Sequence, residues 1–184
     1  MECIITYGSL YGTTKSYAEK FSELTGFPVF QYEAVSDLME CDVVIHFGSL
    51  YEGGVRGLRG IVGKISEDTR LVVVTVGLTD VSREQTVQHI RETIRSQIPS
   101  DRYDDSLMFH LRGGIDYRKL TIKDKATMAL LCMSLKRQSP EQLSEDDRLL
   151  IEHYNDRLSF VDFDRLPAIQ KKIKQALSCS VLVK

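Results

Sequence analysis

The sequence predicts an α/β fold: a doubly wound, five-stranded parallel sheet with an extra helical insertion between the fifth strand and the last helix. Three observations carry this. Apolar runs of strand length recur between segments of helical pattern. Several of those runs are nearly continuous in apolar residues rather than alternating, as strands covered by helices on both faces require. The strand–helix alternation itself demands crossovers that leave neighbouring strands parallel.

The elements follow in order. Residues 3–7 read as the first strand and 13–24 as the first helix. Strand 29–32 comes next, and only 35–40 is then available for a crossover helix before strand 43–47. A helix over 58–65 leads to strand 71–76. Ser82 is an expected N-cap for the helix over 83–98, with Gln85 completing a capping box. The fifth strand spans 107–110, and the final helix spans 166–177 with Pro167 at its start, where a missing N–H costs little.

One stretch exceeds this plan. Residues 116–162 are far more than a crossover needs, and they hold an apolar, methionine-bearing pattern (Ala126, Met128, Ala129, Leu130, Leu131, Met133, Leu135). A charged stretch, 144–155, follows Pro140. Two further helices packed beside the sheet account for this; the sharper alternative is a lid or docking surface for the protein's partner.

Composition sets the bounds. The 184 residues suit a single domain over 1–184, and 42% apolar with 27% charged residues is ordinary globular usage. A formal charge of −2 argues against nucleic acid as the main partner, since phosphate backbones call for a basic face. Apolar runs are strand-sized, with no transmembrane segment, and Met1-Glu2-Cys3 lacks the regions of a signal peptide, so a cytoplasmic protein is expected. Cys3, Cys41, Cys132 and Cys179 are scattered without a CxxC pair, so no metal site is expected, and those in or beside strands are expected to be small buried hydrophobes.

In a doubly wound sheet, ligands bind outside the carboxyl ends of the strands. The loop after the first strand is Ser9-Leu10-Tyr11-Gly12-Thr13-Thr14, opening directly into a helix. A helix N-terminus offers unpaired N–H groups and partial positive charge, so it can hold a phosphate without lysine. Ser9, Thr13 and Thr14 add hydroxyls, and Gly12 permits a close curl of backbone; alternatively, Ser9 or Thr13 simply caps the helix. The loop is neither a Walker loop nor a dinucleotide fingerprint, because Lys15 comes too late and Gly8 and Gly12 are the only glycines near it. The third strand ends in Gly48-Ser49, without the aspartate of a phospho-accepting domain.

With Ser9, Gly12 and Thr14 in register, this loop resembles the flavodoxin phosphate loop [ST]-x-T-G-x-T, departing at Tyr11 where threonine is usual. The resemblance implies a flavodoxin-like fold and non-covalently bound FMN as cofactor. It also implies that Ser49-Leu50-Tyr51-Glu52-Gly53, with Tyr51 stacking, and Gly77-Leu78-Thr79-Asp80 flank the flavin ring. More loosely, "RGGIDYRKLTIKDKATMALLCMSLKRQ" and "FVDFDRL" are similar to segments of the bacterial menaquinone-dependent protoporphyrinogen dehydrogenases.

Two functions stay open: an electron carrier docking to a redox partner protein, and an FMN-dependent oxidoreductase acting on a small molecule with a quinone acceptor. A flavodoxin-fold binding module without flavin is a third. No catalytic residue is assigned. His46 and His110 lie within strands, where packed histidines are usual; Arg112 is either an anion-attracting group or a solvated loop residue. The oligomeric state is left open.

Overall fold

The computed structural model describes residues 1–51 and 53–181, with side chains through residue 178. β1 (Cys3–Gly8) feeds α1 (Thr13–Thr25), which returns to β2 (Val29–Gln31). The chain then crosses to β3 (Val43–Tyr51), makes a short antiparallel return in β4 (Gly54–Val55), and forms α2 (Leu58–Val62). β5 (Arg70–Gly77), α3 (Glu84–Arg95) and β6 (Met108–Arg112) complete the sheet. Its order is β2-β1-β3-β5-β6, with every pairing along that path parallel.

The runs 43–47 and 71–74 are almost wholly apolar because they form β3 and β5, two of the three strands paired on both sides. Val44, Ile45, Phe47, Val72, Val73 and Val74 are at most 1% exposed. Tyr17, Ala18 and Phe21 of α1 and Leu58 and Ile61 of α2 pack into the same core, as do Ile90 and Ile94 of α3. Cys3 and Cys41 are buried there as expected of small hydrophobes. Buried within the sheet, His46 bridges Thr6 Oγ1 (2.9 Å) and the carbonyl oxygen of Arg56 (2.8 Å). That environment is structural, and burial pushes the imidazole pKa down to about 4.

The second crossover differs from expectation. No α-helix forms over 35–40; a single 3₁₀ turn (Tyr32–Ala34) leads to Leu38, which pairs with Ile65 as an isolated parallel bridge and is 2% exposed. Lys64 donates to the Tyr32 carbonyl (3.0 Å), so a side-chain bond does the tethering that a helix would otherwise do. α3 also starts later and ends earlier than its pattern suggests. Arg83 stands at its N-cap without a side-chain bond, because the N–H of Ser82 is held by Asp80 (2.9 Å) in a local turn.

The insertion forms two helices, but they sit over the strand ends rather than beside the sheet. β7 (Gly114–Asp116) leaves β6 almost directly and pairs antiparallel with β8 (Arg157–Ser159). Between the two strands lie α4 (Ile122–Lys136), capped by Thr121, and α5 (Glu145–Glu152), which starts at a Ser144–Asp147 capping box. They enclose a second small core of Ile115, Tyr117, Leu120 and Leu158, against which Tyr11 and Leu78 of the sheet loops also pack. α6 (Leu166–Val181), with Pro167 in its first turn, closes the chain beside α1. Among the described residues no helix is long and apolar enough to cross a membrane.

Candidate functional site

β1, β3 and β5 are neighbours, so the loops leaving their carboxyl ends lie side by side. The chain leaves β1 toward β2 on one side and returns to β3 on the other, which makes this the switch point where such sheets form a crevice. A cavity of about 310 Å³ occupies it, at the small end of ordinary ligand pockets. The β1 loop lines it with Ser9, Leu10, Tyr11, Thr13 and Thr14; β3 and β5 contribute Ser49, Leu50, Tyr51, Gly77 and Leu78. The insertion closes it with Leu120, Asp124, Thr127 and Met128.

Ten of the fifteen residues singled out from sequence therefore meet around one cavity. Gly12 lies on its outer side, lining a neighbouring hollow of about 440 Å³ with Arg118, Lys119 and Arg157. Gly53, Thr79 and Asp80 line neither, and Glu52 lies outside the described residues. Asp80 is instead occupied in its own turn, where the Ser82 backbone N–H holds its carboxyl below the usual range. Sequence reasoning did not name Gly113, Gly114 and Ile115, which also line the cavity. The Gly-Gly pair directly after an apolar strand was a legible signal. Met128 belongs to the apolar pattern for which a lid was one reading, whereas Asp124 and Thr127 carried no signal, since only the fold brings them there.

Two features, one beside the cavity and one in its wall, ask for a polar ligand. Gly12, in the left-handed region (φ 99°), is the N-cap of α1, and no side chain caps that helix. Ser9 Oγ accepts from the N–H of Gly12 (3.1 Å), upstream of the helix, so neither Ser9 nor Thr13 performs the capping that was the alternative reading. The N–H groups of the first turn are left to solvent or a ligand, with the positive end of the dipole behind them. Separately, the hydroxyl of Ser49 is buried and without a hydrogen-bond partner among the described residues. A buried hydroxyl of that kind is costly unless something completes it.

Electrostatics over the rest of the cavity converge on Asp124, which is 7% exposed. Tyr11 and Tyr51 both donate their hydroxyl hydrogens to its carboxylate, and Thr121 Oγ1 donates at 2.7 Å. The bonds from Tyr11 and then Tyr51 are the main causes that hold the Asp124 pKa below its ordinary value. Burial, seconded by the same bond, pushes the Tyr11 phenol up. One carboxylate thus ties the β1 loop and the β3 loop to the first turn of α4.

Arg112 is neither a solvated loop residue nor an available anion site. Its guanidinium lies 3.6 Å from the centroid of the Phe160 ring and pairs with Asp146 at 2.7 Å, clamping the insertion to the end of β6. Tyr17 adds a second clamp, donating to the Arg112 carbonyl (2.8 Å) and accepting from the N–H of Asp162 (2.8 Å). His110 bonds Thr75 Oγ1 (2.8 Å) and its pKa is lowered by burial to about 4, so it too is a packed histidine outside the cavity.

The model of the flavodoxin domain matches residues 4–142, three quarters of the chain. This chain belongs to the flavodoxin domain family. Comparison with curated proteins returns no match. Among solved structures, it is similar to a flavodoxin from the domain Archaea (15% identity, 84% of this chain and 96% of that one, TM-score 0.39). It is also similar to oxidised flavodoxin 2 from Bacillus cereus (13% identity, 83% and 94%, TM-score 0.37). A third is Fusobacterium nucleatum flavodoxin bound to flavin mononucleotide (14% identity, 63% and 72%, TM-score 0.38).

Proposed function

We propose that this chain binds FMN without a covalent bond and passes electrons through it. The observation that carries the reading is the uncapped N-terminus of α1, opening behind Gly12 beside a cavity at the switch point of the sheet. A terminal monophosphate is an anion such an N-terminus holds without lysine. The Ser9, Thr13 and Thr14 hydroxyls would add donors around it, and the orphaned Ser49 hydroxyl a further polar contact. Leu50, Tyr51, Gly77 and Leu78 supply the apolar and aromatic walls a flat ring takes, with Tyr51 the stacking candidate. Gly53, at φ 75°, lets the adjoining loop turn over without strain, and we keep Glu52, Thr79 and Asp80 in the proposal as ring-flanking loop residues.

When bound, FMN supplies the one- and two-electron chemistry. The chain's own part is to hold the phosphate, exclude water with α4, and fix the polar groups around the ring. Free, buried Cys3, Cys41 and Cys132 suit a reducing compartment, and we place the protein in the cytoplasm. The reading is tested by calorimetric titration with FMN and with riboflavin. FMN is expected to bind at least about a hundredfold more tightly, since only it brings charge-assisted phosphate bonds; equal affinity contradicts the assignment of the β1 loop.

A second reading is an FMN-dependent oxidoreductase of the protoporphyrinogen dehydrogenase type with a quinone acceptor. What favours it is the insertion, which closes over the cavity where a carrier exposes a ring edge to its redox partner. Anaerobic mixing of the FMN-loaded, oxidised protein with protoporphyrinogen separates the two: turnover supports the enzyme, while reduction by a reductase alone supports the carrier.

A further inference from the structure

α4 has two faces that differ in kind. Asp124, Cys132 and Leu135 point inward and are buried, while Ile122, Leu130 and Met133 are 89%, 68% and 52% exposed. At 100° per residue, Ile122, Ala126, Leu130 and Met133 fall on one stripe facing away from the protein. Lys125 and Lys136 flank that stripe on one side, Lys136 with its ammonium 6.0 Å from the centroid of the Tyr154 ring, and Lys123 flanks it on the other. The helix's only acidic residue, Asp124, is turned into the cavity and held by two tyrosines. Every charge that α4 presents outward is therefore positive, on a protein whose formal charge is −2.

We infer that the outer face of α4 docks onto an anionic lipid surface. An apolar stripe bordered by lysines is what an interfacial helix requires: side chains that enter the headgroup–acyl boundary, and cations that meet the anionic headgroups beside them. A helix of fifteen residues is too short to span a bilayer but long enough to lie in its plane. Charge complementarity decides against a second copy of this chain as occupant, because a twofold contact through the stripe would oppose lysine to lysine. The inference is independent of the flavin reading, since none of the stripe residues or flanking lysines lines the cavity.

The test is co-sedimentation of the full chain with vesicles of phosphatidylcholine alone and of phosphatidylcholine mixed equally with phosphatidylglycerol. Binding to the mixed vesicles only, weakened by salt, is expected. Lys125→Glu with Lys136→Glu should lower partitioning about tenfold or more, at about a factor of five for each lysine removed from the anionic surface. Ile122→Ser with Leu130→Ser and Met133→Ser should abolish it, with an unchanged circular dichroism spectrum because all three side chains are exposed. Failure of the native chain to bind mixed vesicles overturns the inference. So does binding that neither set of substitutions weakens, or a dimer in solution that the serine substitutions dissociate.

Discussion

Tyr11, on the loop after β1, donates its hydroxyl hydrogen to Asp124, on the helix that closes over that loop. The family pattern has threonine at this position; here a longer phenol reaches past the loop into the insertion. Tyr11 and Asp124 are therefore two halves of one device, an anchor for a lid that a shorter side chain would not reach. Tyr51 completes it from the other side of the cavity.

Removing either phenol should loosen the lid measurably. Tyr11→Phe and Tyr51→Phe each deprive a buried carboxylate of a charge-assisted bond and should cost about 1–3 kcal/mol in urea unfolding. In both variants the Asp124 carboxyl should titrate nearer its ordinary value, which NMR of the aspartate carboxyls reads directly. Combining either change with Asp124→Asn should be less than additive, because the partners share one network. Full additivity and an unmoved Asp124 titration would contradict the anchor.

Close approach of the β4 segment to the strand ends makes Gly8 irreplaceable. A Cβ there would stand 2.2 Å from the Arg56 carbonyl oxygen, which also bonds His46 Nε2 at 2.8 Å. Gly8→Ala should destabilise by about 3 kcal/mol, at the upper end for overpacking a fixed backbone. An unchanged unfolding midpoint would mean that the β4 segment gives way freely.

Gly12 should respond differently, because nothing lies within 4 Å of its Cβ position and only its φ of 99° resists substitution. Gly12→Ala should cost about 1–2 kcal/mol of backbone strain. It should also weaken FMN more than riboflavin in paired titrations, since the strain falls where the phosphate is proposed to sit. An equal loss for both ligands would move the phosphate away from this turn.

His46 and His110 set the acid limb of stability. Both are held neutral, each with a pKa lowered to about 4, whereas in the unfolded chain each protonates near 6.5. Between those values the unfolded state binds more protons, so stability is full above the unfolded pKa and falls as pH drops through the window. Each histidine contributes a slope of up to about 1.4 kcal/mol per pH unit. His46→Gln should remove about half of the wild-type loss between pH 6 and 5, measured by urea unfolding at both pH values. A pH-independent wild type would contradict the neutral burial of these rings.

The sheet was readable because its signals are local: apolar runs of strand length, and a hydroxyl- and glycine-rich turn before a helix. The same locality made Ser9, Thr13 and Thr14 accessible, whereas Ser49 and Gly77 came from the resemblance of their loops to those of flavodoxins. Asp124 was not, because a single aspartate between two lysines reads as a solvated helix start until the fold turns it inward onto two tyrosines. Arg112 was misjudged for a similar reason: its partners Asp146 and Phe160 are distant in sequence. The missing second-crossover helix reflects a side-chain tether from Lys64, which no periodicity records.

The cavity at the ends of β1, β3 and β5 is the place proposed for FMN. Fluorescence titration of FMN with the purified chain tests it most directly. Quenching is expected to saturate at one flavin per chain, with a shifted visible band, and to weaken when Gly12 is replaced by alanine. Flavin fluorescence and absorption unchanged at saturating protein would contradict it.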